Sequence, residues 1–157
     1  ETGIMVGPEA ERTALVRHAA RLFVTGANLG VPFMTIVLRK GYGLGAQAMA
    51  GGSFKAPLFT VSWPTGEFGG MGLEGAVRLG YRNEIAARST PEERQALYEE
   101  LVARLYEHGK ALNMASVFEI DAVIDPAASR DWILRALESA PPAPPRRGKK
   151  RPQVDTW

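Results

Sequence analysis

Three glycines at alternate positions form the stretch of this sequence whose residue types and spacing could do chemistry. Gly41, Gly43 and Gly45 follow an apolar run and lead into the helix-forming residues "AQAMA". A strand that runs into a helix start leaves several backbone N–H groups unpaired at the positive end of the helix dipole. Two such donors aimed at one point can stabilise an oxyanion, and losing one commonly costs about 3 kcal/mol of transition-state stabilisation.

The same glycines also have a purely structural explanation. They permit close packing and positive φ angles, and strand–glycine–helix corners occur in folds of every function. A phosphate-binding loop fits less well, because no Gly-Lys-Ser/Thr follows the glycines and "GYGLGA" lacks the full dinucleotide-binding spacing. On spacing alone, a turn without chemistry and an oxyanion site both stay open.

Other catalytic side chains are scarce in this sequence. It has two histidines and no cysteine, which excludes disulfides and thiolate chemistry and argues against a multi-histidine metal site. His18 falls within a helical segment, and His108 ends another, where a cation is favourable without any catalytic role. Glu67 and Glu74 flank glycines and are predicted to be solvated loop carboxylates. No Ser-His-Asp arrangement emerges.

Composition and charge restrict the class of protein. The 157 residues, 45% of them hydrophobic and 23% charged, are typical of one globular domain. The net charge of +2 conceals an asymmetry, because five basic residues and one acid from Pro141 onward leave the rest of the chain near −2. The body is therefore not a basic nucleic-acid surface. Without a long apolar stretch, a signal peptide or cysteine, the chain is predicted to be cytoplasmic and free of the membrane.

The composition of the chain changes near residue 140, after which proline and basic residues dominate. We predict a domain over residues 1–140 and a disordered Pro-rich, basic tail over 141–157. The chain starts at Glu1 without an initiator Met, already at the entry to a helix, so we expect it to be part of a longer protein.

Helix and strand patterns alternate along the body. An amphipathic helix is predicted over Pro8–Asn28, and the apolar run 31–38 is typical of a strand buried on both faces. A helix should begin near residues 43–45, and a second β-rich run covers 56–64. The later elements are a helix from Leu73, a long helix capped by Ser89 or Thr90 with Pro91 in its first turn, a short strand before the Asp125-Pro126 turn, and a closing helix through Leu137. This alternation indicates an α/β layered domain.

Two long motifs carry a family resemblance. "VPFMTIVLRKGYGLGAQAMAGG" and then "FTVSWPTGEFGGMGLEGAV" resemble the C-terminal half of the carboxyltransferase (beta) component of biotin-dependent acyl-CoA carboxylases of the acetyl- and propionyl-CoA type. The similarity extends from "GIMVGPEAE" through "VIDPAASRDWILRALES". Although the usual proline of this entry motif is absent from "ETGI", the order and spacing of the other motifs are specific. The resemblance implies a crotonase-like superhelix of ββα units.

The resemblance also implies a reaction and its partners. Carboxybiotin, carried on a biotin carboxyl carrier protein and loaded by biotin carboxylase, would give its carboxyl group to acetyl-CoA or propionyl-CoA, forming malonyl-CoA or methylmalonyl-CoA. An N-terminal half would hold the acyl-CoA, and the active site would lie between subunits, commonly of a hexamer. The isolated C-terminal half should not transfer carboxyl groups efficiently. A decarboxylase that runs the chemistry backwards and a non-catalytic assembly module stay open as alternatives.

The resemblance assigns site residues to the glycine stretch. The backbone N–H groups of Leu44 and Gly45 would face biotin as the oxyanion hole, and Gly43 would allow the cofactor to approach. At Gln47 many relatives carry an acid that lines the acyl pocket, so acyl preference stays open. The freed biotin nitrogen can serve as the base, so this mechanism requires no metal and no catalytic His or Cys from the protein.

Overall fold

The computed structural model describes residues 3–145, 147–148 and 153–154. Its helices are α1 (Pro8–Arg12), α2 (Leu15–Ala27), α3 (Gly43–Met49), α4 (Leu73–Gly80), α5 (Arg82–Ala86), α6 (Pro91–His108), α7 (Ala111–Ser116) and α8 (Ser129–Ser139), with a 3-10 turn at Pro126–Ala128 before α8. Its strands are β1 (Thr35–Val37), β2 (Lys40–Tyr42), β3 (Thr60–Ser62), β4 (Glu67–Gly69) and β5 (Ala122–Val123).

The strands form two small parallel sheets. One sheet has the order β1-β3-β5, in which Thr35 lies opposite Thr60 and Val61 opposite Ala122. The other pairs β2 with β4, so that Gly41 lies opposite Phe68. Helices connect the paired strands, with α3 between β1 and β3 and α4 to α7 between β3 and β5. The predicted α/β class is confirmed.

Two clusters of buried apolar side chains lie on opposite faces of β1. Val37 belongs to the first cluster and Ile36 packs against the second, because alternate strand residues point to opposite faces. The clusters consist of Val37, Ala50, Phe54, Phe68, Ala111 and Ile120, and of Phe59, Val61, Ile124 and Ala136. Thr60 and Ser62 are buried among them, and their hydroxyls donate to the carbonyl oxygens of Phe54 (2.6 Å) and Val37 (3.1 Å).

The prediction of one helix over Pro8–Asn28 is wrong. The segment divides into α1 and α2 at Thr13 and Ala14, and Ala14 has a left-handed φ of 60°. The Thr13 hydroxyl donates to the carbonyl oxygen of Ala10 at 2.7 Å, and such a local bond competes with the helical ladder. The break leaves α2 as the part that packs against α3.

Several strands and short helices differ from the sequence prediction. The runs 31–38 and 56–64 form regular strands only in part, at β1 and β3, and Pro32 has no N–H with which to extend the first. Strands β2 and β4 and helices α5 and α7 were not predicted, because each has at most six residues and no distinctive pattern. The predicted starts of α3 and α4 are confirmed.

The long helix α6 begins as its sequence predicts. The Thr90 hydroxyl accepts from the N–H of Glu93 at 3.2 Å, while the Glu93 carboxylate accepts from the N–H of Thr90 at 3.3 Å. This reciprocal capping box, with Pro91 at the first helical position, satisfies N–H groups that the helix itself leaves unpaired.

The end of the chain is described only in part. Helix α8 ends at Ser139, and residues 141–145 are exposed and lie outside helices and strands. The basic residues Arg146, Lys149, Lys150 and Arg151 of the predicted tail lie outside the described residues. Among the residues that are described, no helix is both long and apolar enough to span a bilayer.

Candidate active site

The glycine stretch folds as a strand that passes directly into a helix. Tyr42 ends β2 and is also the N-cap residue of α3, with φ −107° and ψ 131°. Helix geometry leaves the first-turn N–H groups, which are those of Gly43, Leu44 and Gly45, without an intrahelical acceptor. Within the described residues the Tyr42 side chain does not cap them. Neither the helix itself nor a cap from the Tyr42 side chain therefore supplies an acceptor for them.

Gly43 is required by the geometry of the turn. Its φ is +58°, and a Cβ at this position would lie 2.5 Å from the carbonyl oxygen of Gly70. A residue with a side chain would meet both a left-handed backbone and a backbone clash. The structural explanation of the glycines therefore holds at Gly43, and it is compatible with a chemical role for the amides that follow.

The other predicted site residues lie along α3. The Leu44 side chain is exposed, with 60% of its surface accessible, whereas Gly45 is buried. Gln47 is half-buried and stands four residues after Gly43, which places the two on the same side of the helix. The structure thus brings the predicted residues together on two successive turns.

Exposed apolar side chains surround this helix. Leu38, Leu44 and Met49 are each more than half exposed. A groove of about 470 Å³ runs beside β1 and α3 and is lined mainly by apolar residues, including Phe33, Met34, Ile36 and Phe54. Apolar surface of this kind is typical of an interaction site.

Tyr42, Glu67 and Arg39 form a polar network beside the turn that the sequence did not predict. The Tyr42 hydroxyl donates to Oε2 of Glu67 at 3.0 Å, and Nε of Arg39 lies 3.6 Å from Oε1 of the same carboxylate. Burial, and then the bond to Glu67, raises the pKa of Tyr42 well above its ordinary value. The prediction that Glu67 is a solvated loop acid is wrong, because it lies in β4 with only 25% of its side chain accessible.

A second tyrosine–carboxylate pair lies on the neighbouring helices. The Tyr106 hydroxyl of α6 donates to Oε1 of Glu74 in α4 at 2.7 Å. This bond lowers the pKa of Glu74 and raises the pKa of Tyr106. Glu74 is exposed, as predicted for a solvated acid, but it is bonded. No sequence motif marks either pair, because their partners are 25 and 32 residues apart.

Neither histidine takes part in the site. His18 lies in α2, His108 ends α6, and both are exposed. No three His, Cys, Asp or Glu side chains in the described ranges are grouped so that they could hold a metal ion. The chemistry available at the turn is therefore that of backbone donors and of the Tyr42–Glu67 pair.

Comparison with known proteins places this geometry in one family. The carboxyl transferase domain model matches residues 1–152. The chain is 33% identical over 151 residues to the biotin-dependent acetyl-/propionyl-coenzyme A carboxylase beta6 subunit of Mycobacterium tuberculosis, which covers 95% of this chain and 31% of that protein. The chain spans about a quarter to a third of the length of the curated relatives it matches.

Solved structures give the same relationship. The structure of a single-chain, multi-domain long-chain acyl-CoA carboxylase is 65% identical in sequence, with a TM-score of 0.71 over 84% of this chain and 13% of that chain. The transcarboxylase 12S hexamer with methylmalonyl-CoA bound is 29% identical, with a TM-score of 0.79 over 98% of this chain and 29% of that chain. The fold is therefore that of the carboxyltransferases, the crotonase-like class predicted from the motifs, and this chain belongs to the carboxyl transferase domain family.

Proposed function

We propose that this chain is the C-terminal, biotin-side half of an acyl-CoA carboxyltransferase. The complete protein transfers the carboxyl group of carboxybiotin to the α-carbon of an acyl-CoA thioester. The observation that carries the proposal is the turn at Gly43, which presents the N–H groups of Leu44 and Gly45 at the start of α3 in a chain of this family.

The residues at the turn fit the ureido carbonyl group of biotin. Gly43 and Gly45 carry no side chain, and the first-turn N–H groups have no acceptor within the helix. Bound as carboxybiotin, the cofactor supplies an activated carboxyl group and a ring nitrogen that can take up the α-proton. The fit therefore depends on main-chain donors alone.

The role of this chain in the reaction is electrostatic. The N–H groups of Leu44 and Gly45 donate to the ureido oxygen, where negative charge develops in the transition state. Gly43 leaves room for this approach. Gln47, one helical turn further on, lines the acyl pocket and contributes a neutral amide there.

The remaining components of the active site come from partners. An N-terminal carboxyltransferase half supplies the acyl-CoA site, and a biotin carboxyl carrier protein, loaded by biotin carboxylase, brings the cofactor. The exposed apolar side chains of Leu38, Leu44 and Met49 support docking of another protein surface at α3. The hexamer of the transcarboxylase 12S relative supports an oligomeric assembly of the complete protein.

One observation favours a long acyl chain over acetyl- or propionyl-CoA. The long-chain acyl-CoA carboxylase is 65% identical to this chain, whereas the acetyl-/propionyl-CoA carboxylase subunit is 33% identical. We therefore expect a complete carboxyltransferase with this C-terminal half to have a higher kcat/KM for long-chain acyl-CoA than for propionyl-CoA. A clear preference for propionyl-CoA would contradict this assignment and leave the reaction type intact.

Reconstitution with an N-terminal half tests the reaction. The two halves are combined, and carboxylation of free biocytin by malonyl-CoA, methylmalonyl-CoA or a long-chain 2-carboxyacyl-CoA is followed as the reverse reaction. We expect turnover only when both halves are present. A stable complex without turnover would contradict the proposal and favour the assembly module. Comparison of the rates in both directions with partner subunits present would distinguish a carboxylase from a decarboxylase.

A further inference from the structure

The hydroxyl of Tyr42 links the end of β2, where α3 begins, to the neighbouring strand β4. Only 8% of this residue is accessible, and its hydroxyl donates to Oε2 of Glu67 at 3.0 Å. A buried hydroxyl is costly without a partner, and a phenylalanine ring would fill the same space without that cost. The hydroxyl is thus present for its bond to Glu67 rather than for packing.

Glu67 holds β2 and β4 together at two levels. Its backbone lies opposite Lys40 in the parallel pair, and its N–H donates to the carbonyl oxygen of Arg39 at 2.6 Å. Its carboxylate reaches further along β2, to the hydroxyl of Tyr42, and also faces Nε of Arg39 at 3.6 Å. The side chain therefore fastens the end of β2, where α3 begins, to the neighbouring strand.

A second tyrosine–carboxylate pair, Tyr106 and Glu74, lies next to the bond between Tyr42 and Glu67. The phenols of Tyr42 and Tyr106 are close enough to affect the pKa of each other, and Tyr106 in turn donates to Glu74. Burial, and then the bond to Glu67, raises the pKa of Tyr42 above its ordinary value, so the hydroxyl stays a donor over the whole range in which an ordinary phenol does and beyond it. The contacts join β2, β4, α4 and α6 around the start of α3.

The flexibility of Gly43 is the reason why the β2–α3 turn needs a restraint from its neighbours. Glycine has little intrinsic preference for one backbone conformation, so a turn at Gly43 does not by itself fix the direction of the N–H groups that follow. On one side lies the carbonyl oxygen of Gly70, 2.5 Å from where a Cβ at position 43 would stand. On the other side the only residue between Gly43 and the body of β2 is Tyr42, whose conformation its hydroxyl bond restrains.

We propose that Tyr42 and Glu67 are positioning residues that aim the backbone N–H groups of Leu44 and Gly45. This inference rests on the proposed function, because it assigns the two side chains a part in the same reaction. They act through the backbone of α3 and do not touch the reacting atoms.

Kinetics of the Tyr42→Phe variant in the complete carboxyltransferase tests the proposal. Phenylalanine keeps the ring and removes the bond to Glu67, so we expect kcat to fall about tenfold, since small misplacement of a catalytic group is costly. The KM for acyl-CoA should not change, because the substitution leaves intact both Gln47, which lines the acyl pocket, and the other half, which supplies the acyl-CoA site. Tyr81→Phe is the matched control: it removes a phenol hydroxyl that accepts from Arg104 at 3.2 Å, away from α3, and should leave kcat unchanged.

Variants of Glu67 separate positioning from a general structural effect. Glu67→Gln keeps an oxygen that can accept from Tyr42 and should retain most of kcat, whereas Glu67→Leu should reproduce the loss seen in Tyr42→Phe. Equal losses in both Glu67 variants, or an unchanged kcat in Tyr42→Phe, would overturn the proposal.

Hydrogen exchange provides a readout that does not depend on turnover. Exchange of the α3 amides, followed by mass spectrometry without biotin, should be faster in Tyr42→Phe than in Tyr81→Phe. Equal exchange would overturn the positioning role even if the protein proved inactive. Absence of turnover in the unvaried complete protein, with the exchange difference present, would instead contradict the proposed function alone.

Discussion

At the proposed site, Leu44 would act through its backbone alone. Its side chain is largely exposed, while its N–H belongs to the first turn of a helix that leaves it unpaired. Gly45 is buried beside it and offers the second donor. Removal of a side chain and removal of an N–H should therefore have different consequences at these two positions.

Gly45→Pro removes one donor and should lower kcat about 100- to 1,000-fold, the loss expected for one oxyanion-hole donor. Proline at this third helical position also restricts the backbone of Leu44, so assembly of the variant with the N-terminal half is measured together with its turnover. Gly45→Ala keeps the donor and should lower kcat much less. The measurement is steady-state carboxylation of biocytin by the two reassembled variants. Normal turnover of Gly45→Pro would disprove the site assignment.

Gly43→Ala should reduce both stability and activity. The substitution places a Cβ 2.5 Å from the carbonyl oxygen of Gly70 at a φ of +58°, and the left-handed backbone alone costs about 1–2 kcal/mol. Gly70→Ala is the matched control, since a Cβ there meets nothing within 4 Å. Urea unfolding and turnover of both variants test this. A Gly43→Ala protein as stable and active as the Gly70→Ala control would refute the steric argument.

Phe118→Gly should stabilise the protein. Phe118 is 80% exposed and has a left-handed φ of 59°, and the Nζ of Lys55 donates only to its main-chain carbonyl oxygen. Glycine relieves the strain and sacrifices little packing, so we expect a net gain of about 0.5–1 kcal/mol in the free energy of unfolding. Phe118→Ala keeps the strained backbone and should bring no such gain. Equal stability of the two variants in urea would contradict the argument.

The sequence motif indicates the backbone donors of the proposed site and gives no sign of the side chains proposed to support them. Gly43, Leu44, Gly45 and Gln47 are neighbours in the chain, so their motif identifies them together. Tyr42 and Glu67 meet only because β2 and β4 pair. That register depends on long-range packing, which a single sequence does not display.

At the scale of elements, the cap of α6 is a local feature with a measurable contribution. Thr90→Ala removes the hydroxyl that accepts from Glu93 and should lower the free energy of unfolding by about 1 kcal/mol. Ser89→Ala is the control, because the N–H of Ser89, and not its hydroxyl, bonds to Glu93. Urea denaturation of both variants tests this expectation. If Ser89→Ala lost as much stability as Thr90→Ala, the assignment of Thr90 as the N-cap residue would be wrong.

Elements with local signals were predicted and those set by packing were not. Helices α3, α4 and α6 begin where glycine, Leu73 and the Thr90-Pro91 pair indicate. Strands β2 and β4 have three residues each and gain their stability from pairing with each other. The break between α1 and α2 depends on the left-handed Ala14, which its residue type does not reveal.

At the scale of the whole molecule, the predicted tail should be dispensable. The second buried cluster ends with Ala136 in α8, and residues 141–145 are exposed. A chain that ends at residue 140 should therefore keep its thermal midpoint within about 2 °C and its activity in the reassembled enzyme. A chain that ends at residue 128 lacks α8, exposes Phe59 and should lose its cooperative transition. Calorimetry of both truncations decides whether the boundary at residue 140 is correct.

Family membership was predictable because several short motifs occur in one order. Arg39-Lys40-Gly41-Tyr42-Gly43, Trp63-Pro64-Thr65 and the glycines around Met71 are each unremarkable alone. The acyl preference was not predictable from the motifs, and the chain spans only about a quarter to a third of the length of its curated relatives.

The donors of the proposed site are main-chain amides, which do not titrate near neutral pH. Neither N–H of the Leu44–Gly45 pair gains or loses a proton between pH 5 and 9, so any bell-shaped rate profile of the complete enzyme must originate in other groups of the protein, in the substrate or in the cofactor. At position 44 every residue except proline supplies the amide, so a substitution there should change the exposed surface beside the turn and preserve the donor.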